Sequence, residues 1–139
     1  ALIWASSHSP QRRAAAWPPS RSVSSQRRPV IRPASSAKLP WPDGHFDLIV
    51  SSFFFHEIPL KSTKKVLREC FRLLAPGGTM VHMELPNESA VSAYENFFWN
   101  WDTAYNAEPF YTTYRAQDPV ELSVEAGFAR DRSFAHLIP

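Results

Sequence analysis

The sequence predicts an α/β fold, and three features of residues 39–85 support that prediction. The run FDLIVSSF at positions 46–53 is apolar at nearly every position, which is typical of a strand buried on both faces. A stretch with helical spacing of apolar residues follows, and Pro-Gly-Gly at 76–78 ends it. A second apolar run covers residues 79–85. This order predicts one strand–helix–strand unit with parallel strands and a right-handed crossover.

Each part of this unit has a local cause. Proline, glycine and Asp43 favour a turn over residues 40–44, just before the first strand. Ser62 is a good N-cap for the helix. Ser51 and Ser52 interrupt the apolar run at the carboxyl end of the first strand, and that edge is where open parallel sheets bind ligands. The apolar stripe of the helix is formed by Val66, Leu67, Cys70, Phe71 and Leu74.

Two more helices and a last strand are expected after residue 85. Apolar residues recur with helical spacing over 91–105, and six of them are aromatic. We expect this aromatic cluster to serve packing, with a lid or a substrate wall as the alternative. The motif DPVE at 118–121 is a typical helix start, with a cap, a first-turn proline and an acid at N3. Gly127 ends that helix, and residues 128–137 predict the strand.

Charge divides the chain into two parts. Residues 1–38 carry +7 because they contain seven basic side chains and no Asp or Glu. Residues 39–139 carry −5, from eight basic and 13 acidic side chains. An acidic folded part argues against a nucleic-acid-binding surface. The single cysteine, Cys70, excludes an internal disulfide and a cysteine zinc site, and we expect a small buried apolar residue there.

Residues 1–38 predict a disordered basic arm, because five prolines interrupt a Ser- and Arg-rich stretch that has little apolar surface. Three further interpretations are open: an arm that binds nucleic acid or anionic membrane, an organelle transit peptide, and sequence foreign to the domain. We favour the last, because cleavage of a transit peptide near residue 38 would leave a protein that begins partway through a sheet; the absence of an initiating Met supports a fragment. The expected domains are therefore the arm, 1–38, and a folded part, 39–139.

Four motifs in order resemble class I S-adenosylmethionine-dependent methyltransferases, especially the type 11 group with its ubiquinone/menaquinone-biosynthesis-like enzymes. They are LPWPDGHFDLIVSSFFFHEIP, RECFRLLAPGG, the strand that follows, and EAGF before the last strand. The resemblance covers residues 39–139, the C-terminal half of such a domain. It implies a partial Rossmann-like sheet made of the family's strands 4, 5 and 6 with flanking helices, and S-adenosylmethionine as cofactor.

The resemblance also implies roles for individual residues. The cofactor's methionine moiety is expected near Ser51 and Ser52, and its adenine near Ser35 and Ser36, where the family often has an Asp. His56 is the candidate general base or substrate contact, with a loop histidine that bonds backbone carbonyls as the alternative. The substrate-side candidates are Glu57, Glu84, Asn106 and Glu108.

The family's Gly-rich cofactor loop has no counterpart in this sequence. The chain has four glycines, and none belongs to a GxGxG motif. HExxH and GxSxG motifs are also absent, so no metal site and no serine hydrolase are predicted. The longest apolar run is shorter than the ~20 residues of a membrane-spanning helix.

These features predict a fragment of a methyltransferase. Its parent enzyme is expected to transfer a methyl group from S-adenosylmethionine to a small-molecule nucleophile, and this chain alone is expected to be inactive. The alternative is a non-catalytic interaction module that binds a partner through the exposed edge of its first strand and the aromatic cluster. No nucleic-acid or membrane partner is expected. The expected location is the cytoplasm, or an organelle if residues 1–38 are a transit peptide.

Overall fold

The computed structural model describes residues 2–6 and 38–137. Short 3-10 turns cover Phe55–Glu57, Glu88–Ala90 and Arg130–Arg132. Among the described residues, no helix combines the length and the apolar character that crossing a membrane requires. The elements are β1 Leu2–Ser6, β2 Phe46–Ser52, α1 Leu60–Leu73, β3 Leu74–Met83, α2 Ala93–Tyr105, α3 Tyr111–Arg115, α4 Pro119–Ala126 and β4 Ser133–His136.

The strands form one four-stranded sheet in the order β2-β3-β1-β4. β2 and β3 pair in parallel, with Ser51 opposite His82. β1 is antiparallel to both of its neighbours, β3 and β4. The α/β class and the parallel strand–helix–strand unit are therefore confirmed. The assignment of these strands to the family's strands 4, 5 and 6 stays a prediction.

β1 corrects the sequence prediction for the first residues. Leu2–Ser6 falls within the predicted disordered arm, yet it is an interior strand of the sheet with the side chain of Ile3 fully buried. The cause is local, since LIWAS is an apolar segment whose signal is lost when composition is averaged over 38 residues. The prediction of a disordered arm is wrong for residues 2–6, and residues 7–37 lie outside the described part of the chain.

β2 is buried on one face only, where burial on both faces was expected. Leu48 and Val50 are 56% and 65% exposed, whereas Ile49 on the other face packs against the core. Helices α1, α3 and α4 all contribute to that core, and no described element covers the face of Leu48 and Val50. The core consists of Phe55, Leu67, Leu74, Met80, Tyr114, Leu122 and Phe128.

The boundaries around α1 also differ from the prediction. The helix begins at Leu60 after Pro59, so Ser62 lies inside the helix and is not its cap. It ends at Leu73, and β3 begins at once and contains the Pro-Gly-Gly sequence as an irregular stretch. A Cβ on Gly78 would lie 2.9 Å from the carbonyl oxygen of Ala75, so this close backbone approach needs glycine.

Helix α4 agrees with its sequence signals. The Asp118 side chain accepts hydrogen bonds from the N–H groups of Val120 and Glu121, and Pro119 occupies the first turn. Gly127 ends the helix in the left-handed conformation with φ +117°, as a glycine C-cap does. The strand predicted over 128–137 is shorter, since β4 spans only Ser133–His136.

Cys70 has the buried structural role that its position on α1 predicts. The side chain packs against the core, and burial raises the pKa of its thiol to about 11. A thiol that stays protonated at neutral pH is a poor nucleophile and a poor metal ligand.

Helix α2 forms as predicted, but its aromatic residues do not serve core packing. Ser92 and Glu95 cap its start reciprocally, each accepting a hydrogen bond from the other's backbone N–H. Of the six aromatic side chains, only that of Trp99 turns towards the rest of the fold, where it contacts Tyr111. The other five are more than half exposed: Tyr94, Phe97, Phe98, Trp101 and Tyr105.

Candidate functional site

The candidate site lies at the carboxyl ends of β2 and β3. β2 ends at Ser52 and is followed by the turn Phe55–Glu57, while β3 ends at Met83 and is followed by Glu84. Because the two strands are parallel, their carboxyl ends meet at one edge of the sheet. The N–H of Phe53 donates to the carbonyl of Met83 across a distance of 2.8 Å. The turn after β2 is thereby joined to the end of β3.

Glu84 organises this edge. Its side chain is buried, and one carboxylate oxygen, Oε1, accepts hydrogen bonds from the N–H groups of Phe54 at 2.6 Å and Phe55 at 2.7 Å. The other oxygen, Oε2, lies 2.7 Å from Nδ1 of His56. An ionised carboxylate only accepts hydrogen bonds, so this pairing assigns a proton to Nδ1. Glu84 therefore orients the His56 ring and holds the backbone that carries it.

His56 is nearly buried and lies between two carboxylates. Its second nitrogen, Nε2, is 3.5 Å from the carboxylate of Glu57, whose side chain is half exposed. The edges of two aromatic rings, Phe53 and Tyr111, contact the imidazole at centroid distances of 6.2 and 5.4 Å. The structure thus brings together three predicted site residues. A histidine oriented by a buried carboxylate is the usual arrangement of a general base.

Ser51 and Ser52 lie at the same edge, as predicted, but in different environments. Ser52 is exposed, whereas the hydroxyl of Ser51 is buried and makes no hydrogen bond among the described residues. Both ring nitrogens of His82, its register partner on β3, are also buried without a described hydrogen bond. Burial lowers the pKa of His82 to about 4, so its ring is neutral at pH 7. Buried polar groups in proteins are normally hydrogen-bonded, and these two lie opposite each other, each one residue before the carboxyl end of its strand.

The remaining predicted residues are not brought to His56. Asn106, just past the end of α2, is exposed and donates a hydrogen bond to Asp102. Glu108 lies in the following loop, where its backbone carbonyl accepts from the N–H of Tyr111. The substrate-side role of Asn106 and Glu108 stays a prediction. Ser35 and Ser36 lie outside the described residues.

The sequence reasoning missed a buried arginine beside the site. The Arg115 side chain donates to the carbonyl of Pro86 at 3.0 Å and to Asn96 at 2.6 Å, and its guanidinium lies 5.5 Å from the ring centroid of Trp99. Burial lowers the pKa of Arg115. This side chain joins α3 to α2 and to the loop after β3. No spacing pattern in the sequence marks it.

Two tyrosines of α3 were also missed. Burial is the main cause that raises the pKa of Tyr111 to about 12, and the carboxylate of Asp102 adds to it. Burial likewise raises the pKa of Tyr114, whose hydroxyl makes no hydrogen bond among the described residues. Both phenols are therefore neutral at pH 7. The spacing YxxY in a short segment was the only available signal.

The residues present fit one end of S-adenosylmethionine. The unpaired Ser51 hydroxyl suits the amino and carboxylate groups of the cofactor's methionine moiety. Three of the four glycines, Gly44, Gly77 and Gly78, lie at or near the amino ends of β2 and β3, and Gly127 follows α4. No glycine-lined cradle therefore lies at the site edge. Among the described residues, no cluster of three or more His, Cys, Asp and Glu side chains is suited to hold a metal ion.

The chain is similar in sequence to several known methyltransferases. A demethylmenaquinone methyltransferase of Thermus thermophilus is 42% identical over 53 residues, which cover 38% of this chain and 23% of that protein. A ubiquinone/menaquinone biosynthesis C-methyltransferase of Vibrio vulnificus is 41% identical over 51 residues, covering 37% of this chain and 19% of that protein. The equivalent protein of Psychromonas ingrahamii is 34% identical over 67 residues, with coverages of 47% and 26%.

The matched segments span between 19% and 26% of the length of these relatives. No solved structure matches it. A family model described as a methyltransferase domain matches residues 6–82, which include β2, α1 and most of β3. That match starts within the segment predicted as an arm and covers more than half of the chain. The chain belongs to the methyltransferase domain family, as its resemblance to the S-adenosylmethionine-dependent enzymes predicts.

Proposed function

We propose that this chain forms one side of the active site of an S-adenosylmethionine-dependent methyltransferase that methylates a nucleophile on a small molecule. The observation that carries the proposal is the pairing of His56 Nδ1 with the buried Glu84 carboxylate at 2.7 Å. This pair lies at the ligand edge of a parallel strand pair, in a chain of the methyltransferase domain family.

The proposed cofactor contacts are at the end of β2. Ser51 and Ser52 hold the methionine moiety, and the adenine contacts expected of Ser35 and Ser36 lie outside the described residues. When bound, S-adenosylmethionine supplies an electrophilic methyl group on a sulfonium. Transfer of that group depends on its alignment with the acceptor. Good orientation of two reacting groups can lower an activation barrier by up to about 7–11 kcal/mol. The three bonds to Glu84 give the turn after β2 the rigidity that this alignment needs.

The proposed role of His56 is to accept the acceptor's proton. Because Glu84 holds the proton on Nδ1, the lone pair lies on Nε2 and is available to a base-catalysed step. Glu57, 3.5 Å from Nε2, stabilises the imidazolium that forms. With S-adenosylmethionine bound, the cofactor would supply the methyl group to that acceptor, and the acceptor's proton would stay on Nε2 of His56. An acceptor that is already nucleophilic needs only the alignment.

We also infer that this chain alone binds the cofactor weakly and has no activity. All four glycines lie away from the site edge, so no backbone can approach the ribose there as a Gly-rich loop does. Calorimetric titration of the chain with S-adenosylhomocysteine tests this inference. We expect no binding at micromolar concentration. Micromolar binding by the wild type that Ser51→Ala weakens would show that the site is complete and that this inference is wrong.

Activity can be tested in a chimera, whatever the state of the isolated chain. A segment of this chain from Leu39 to Leu85, which contains His45, His56 and Glu84, would replace its counterpart in the Thermus relative, a protein 42% identical to this chain over 53 residues. We expect the chimera to transfer methyl groups and His56→Ala to reduce kcat by about 10²-fold or more. The matched control is His45→Ala, an exposed histidine at the other end of β2. Equal rates for the two variants would contradict the proposed role of His56.

A second candidate function is partner binding through β2. In the described sheet β2 is an edge strand, and its Leu48 and Val50 side chains are exposed. An open apolar edge favours addition of a strand from another chain. Hydrogen exchange tests this: the β2 amides would gain protection on dilution into a lysate fraction that contains a partner, and Val50→Lys would prevent the gain. Unchanged protection at every concentration and in every fraction would contradict it. The cytoplasm is the location that we propose for either function.

A further inference from the structure

Helix α2 presents an aromatic face to solvent, formed by Tyr94, Phe97, Phe98, Trp101 and Tyr105. Each of these side chains is between 51% and 72% exposed. Successive helical residues are rotated by about 100°, so positions 94, 97, 98, 101 and 105 form one continuous stripe. An amphipathic helix of a globular protein normally turns such a stripe towards the core.

The opposite side of α2 is the one that docks on the fold. Asn96 accepts a hydrogen bond from Arg115 and donates to the carbonyl of Glu88, and the Trp99 ring lies 6.0 Å from that of Tyr111. By helical rotation, the docking residues Asn96 and Trp99 lie on the side of α2 away from the aromatic face. The aromatic face therefore has no role in the site around His56, and an inference about it stands independently of the proposed reaction.

The aromatic face is ordered by contacts among its own rings. Ring centroids are separated by 4.8 Å for Tyr94 and Phe98, 5.5 Å for Phe97 and Phe98, and 4.5 Å for Trp101 and Tyr105. At about 150–250 Å² for each aromatic side chain, the exposed fractions amount to roughly 600 Å². Patches of that size are at the upper end of those on monomeric proteins, and they mark interaction sites. The area also approaches the ~800 Å² that one partner contributes to a standard interface.

The charged side chains of α2 itself are both acidic, Glu95 and Asp102, and the cation that contacts the helix, Arg115, lies on its docking side. Residues 86–114 contain four acidic side chains and no Lys or Arg. Two of the four, Glu95 and Asp102, are seven residues apart, so they lie on one flank of the face about 10 Å apart along the axis. Hydrogen bonds from the Ser92 hydroxyl and backbone lower the pKa of Glu95, which keeps it ionised at neutral pH.

We propose that the aromatic face of α2 binds a basic amphipathic helix of a partner protein. The apolar stripe of such a helix packs on the rings, and its Lys or Arg side chains reach Glu95 and Asp102 and the faces of the aromatic rings. A second copy of this chain fits poorly, because its α2 carries the same acidic flank and no cation. An anionic lipid surface is repelled for the same reason.

Two matched peptides test the charge requirement. Both are fluorescein-labelled, helical and about 18 residues long with a leucine stripe, and the flanking positions are lysine in one and glutamate in the other. Fluorescence anisotropy of each is measured with the full chain. We expect the lysine peptide to bind at least about tenfold more tightly, and its affinity to fall severalfold between about 50 mM and 500 mM salt, because salt screens exposed charges.

Substitutions in the chain test whether the peptide binds at the aromatic face. We expect the double substitution Phe98→Ser with Trp101→Ser to lower the affinity for the lysine peptide about tenfold or more, since aromatic anchors dominate the binding energy of such interfaces. Glu95→Gln with Asp102→Asn should abolish the preference for lysine, and Gln can still cap the helix. The control is Leu137→Ser, an exposed apolar residue just after β4 that has no place in either proposed binding surface and should change nothing. Circular dichroism of each variant checks that the fold is kept.

Four results would overturn the proposal. The first three are equal binding of both peptides, binding of neither peptide, and loss of binding in Leu137→Ser to the same extent as in the aromatic variant. The fourth is evidence that something else covers the aromatic face. The chain would then dimerise in sedimentation equilibrium or bind phosphatidylglycerol vesicles, and the aromatic variant would abolish that association.

Discussion

Glu84 lies just after β3, and its carboxylate bonds the backbone of Phe54 and Phe55 and the ring of His56. These three bonds make Glu84 a positioning residue for the turn after β2. The sequence pattern showed that Glu84 follows a strand at the ligand edge. It could not show that the carboxylate turns inward, because that depends on which backbone N–H groups the turn leaves unpaired.

Glu84→Gln tests this positioning role through stability. The amide keeps the shape of the side chain but loses the charge that three donors share, so we expect the free energy of unfolding to fall by about 2 kcal/mol or more. Urea denaturation followed by circular dichroism measures the change. Glu57→Gln, at a half-exposed carboxylate, should change stability by less than about 0.5 kcal/mol. Equal losses of unfolding free energy in the two variants would contradict the stabilising role of the three hydrogen bonds to Glu84.

His82 provides a prediction about acid stability. Its folded-state pKa is lowered to about 4 by burial, below the value of about 6.5 expected in the unfolded chain. The unfolded state therefore binds a proton first as the pH falls, and the contribution of neutral His82 to stability is lost between about pH 6.5 and 4. We expect His82→Asn to flatten the pH dependence of the urea midpoint in that range. The wild type is the reference, and the same pH dependence in His82→Asn and the wild type would refute the prediction.

At the scale of elements, the predicted parts that proved correct have causes within a few residues. α4 is an example: Asp118 caps it, Pro119 starts it and Gly127 ends it, each through a bond or a backbone angle that the motif itself specifies. The Pro-Gly-Gly sequence was predicted to end the helix in a turn, but it lies within β3. Proline and glycine are common both in turns and in irregular strands, so the residue types alone do not separate the two. Only the pairing of Leu74 with Phe46 and of Thr79 with Leu48 shows that residues 75–78 bulge within β3.

Gly78→Ala tests that bulge. A Cβ there would lie 2.9 Å from the carbonyl oxygen of Ala75 and 3.1 Å from that of Phe46, both backbone atoms that cannot move aside easily. We expect a loss of about 1–3 kcal/mol in the free energy of unfolding, as for other overpacked positions. The neighbouring exposed residue is the control, since Pro76→Ala should cost less. A stable Gly78→Ala variant would argue that β3 has another register.

Asp118→Ala tests the cap of α4. The substitution leaves the N–H groups of Val120 and Glu121 without their acceptor, and we expect it to cost about 1 kcal/mol in the free energy of unfolding. Thermal denaturation measures the loss, with Asp131→Ala in the exposed turn before β4 as the control. Asp118→Asn should restore most of the stability, because Asn caps helices as well as Asp. An Asp118→Ala variant with the melting temperature of the wild type would show that the cap is not formed.

At the scale of the whole molecule, the α/β class and the ligand edge were predictable, and the burial of each face was not. The order of strand, helix and strand follows from periodicity, and parallel pairing then brings Ser51, His56 and Glu84 to one edge. Which face of β2 is covered depends on contacts between distant elements, such as Tyr114 and Leu122 with Met80. The same holds for α2, where Arg115 and Tyr111 hold the side of Trp99 and leave the aromatic face outside.

The methyltransferase family is shown by the match over residues 6–82, and the central claim beyond it is that His56 and Glu84 act as a pair in methyl transfer. A double-mutant cycle of His56→Ala and Glu84→Gln in the chimera with the Thermus relative tests that claim most directly. If Glu84 acts through His56, each single variant lowers kcat and the double variant is about as slow as His56→Ala alone. Losses that multiply in the double variant, or a His56→Ala enzyme with the rate of the wild type, would contradict the claim.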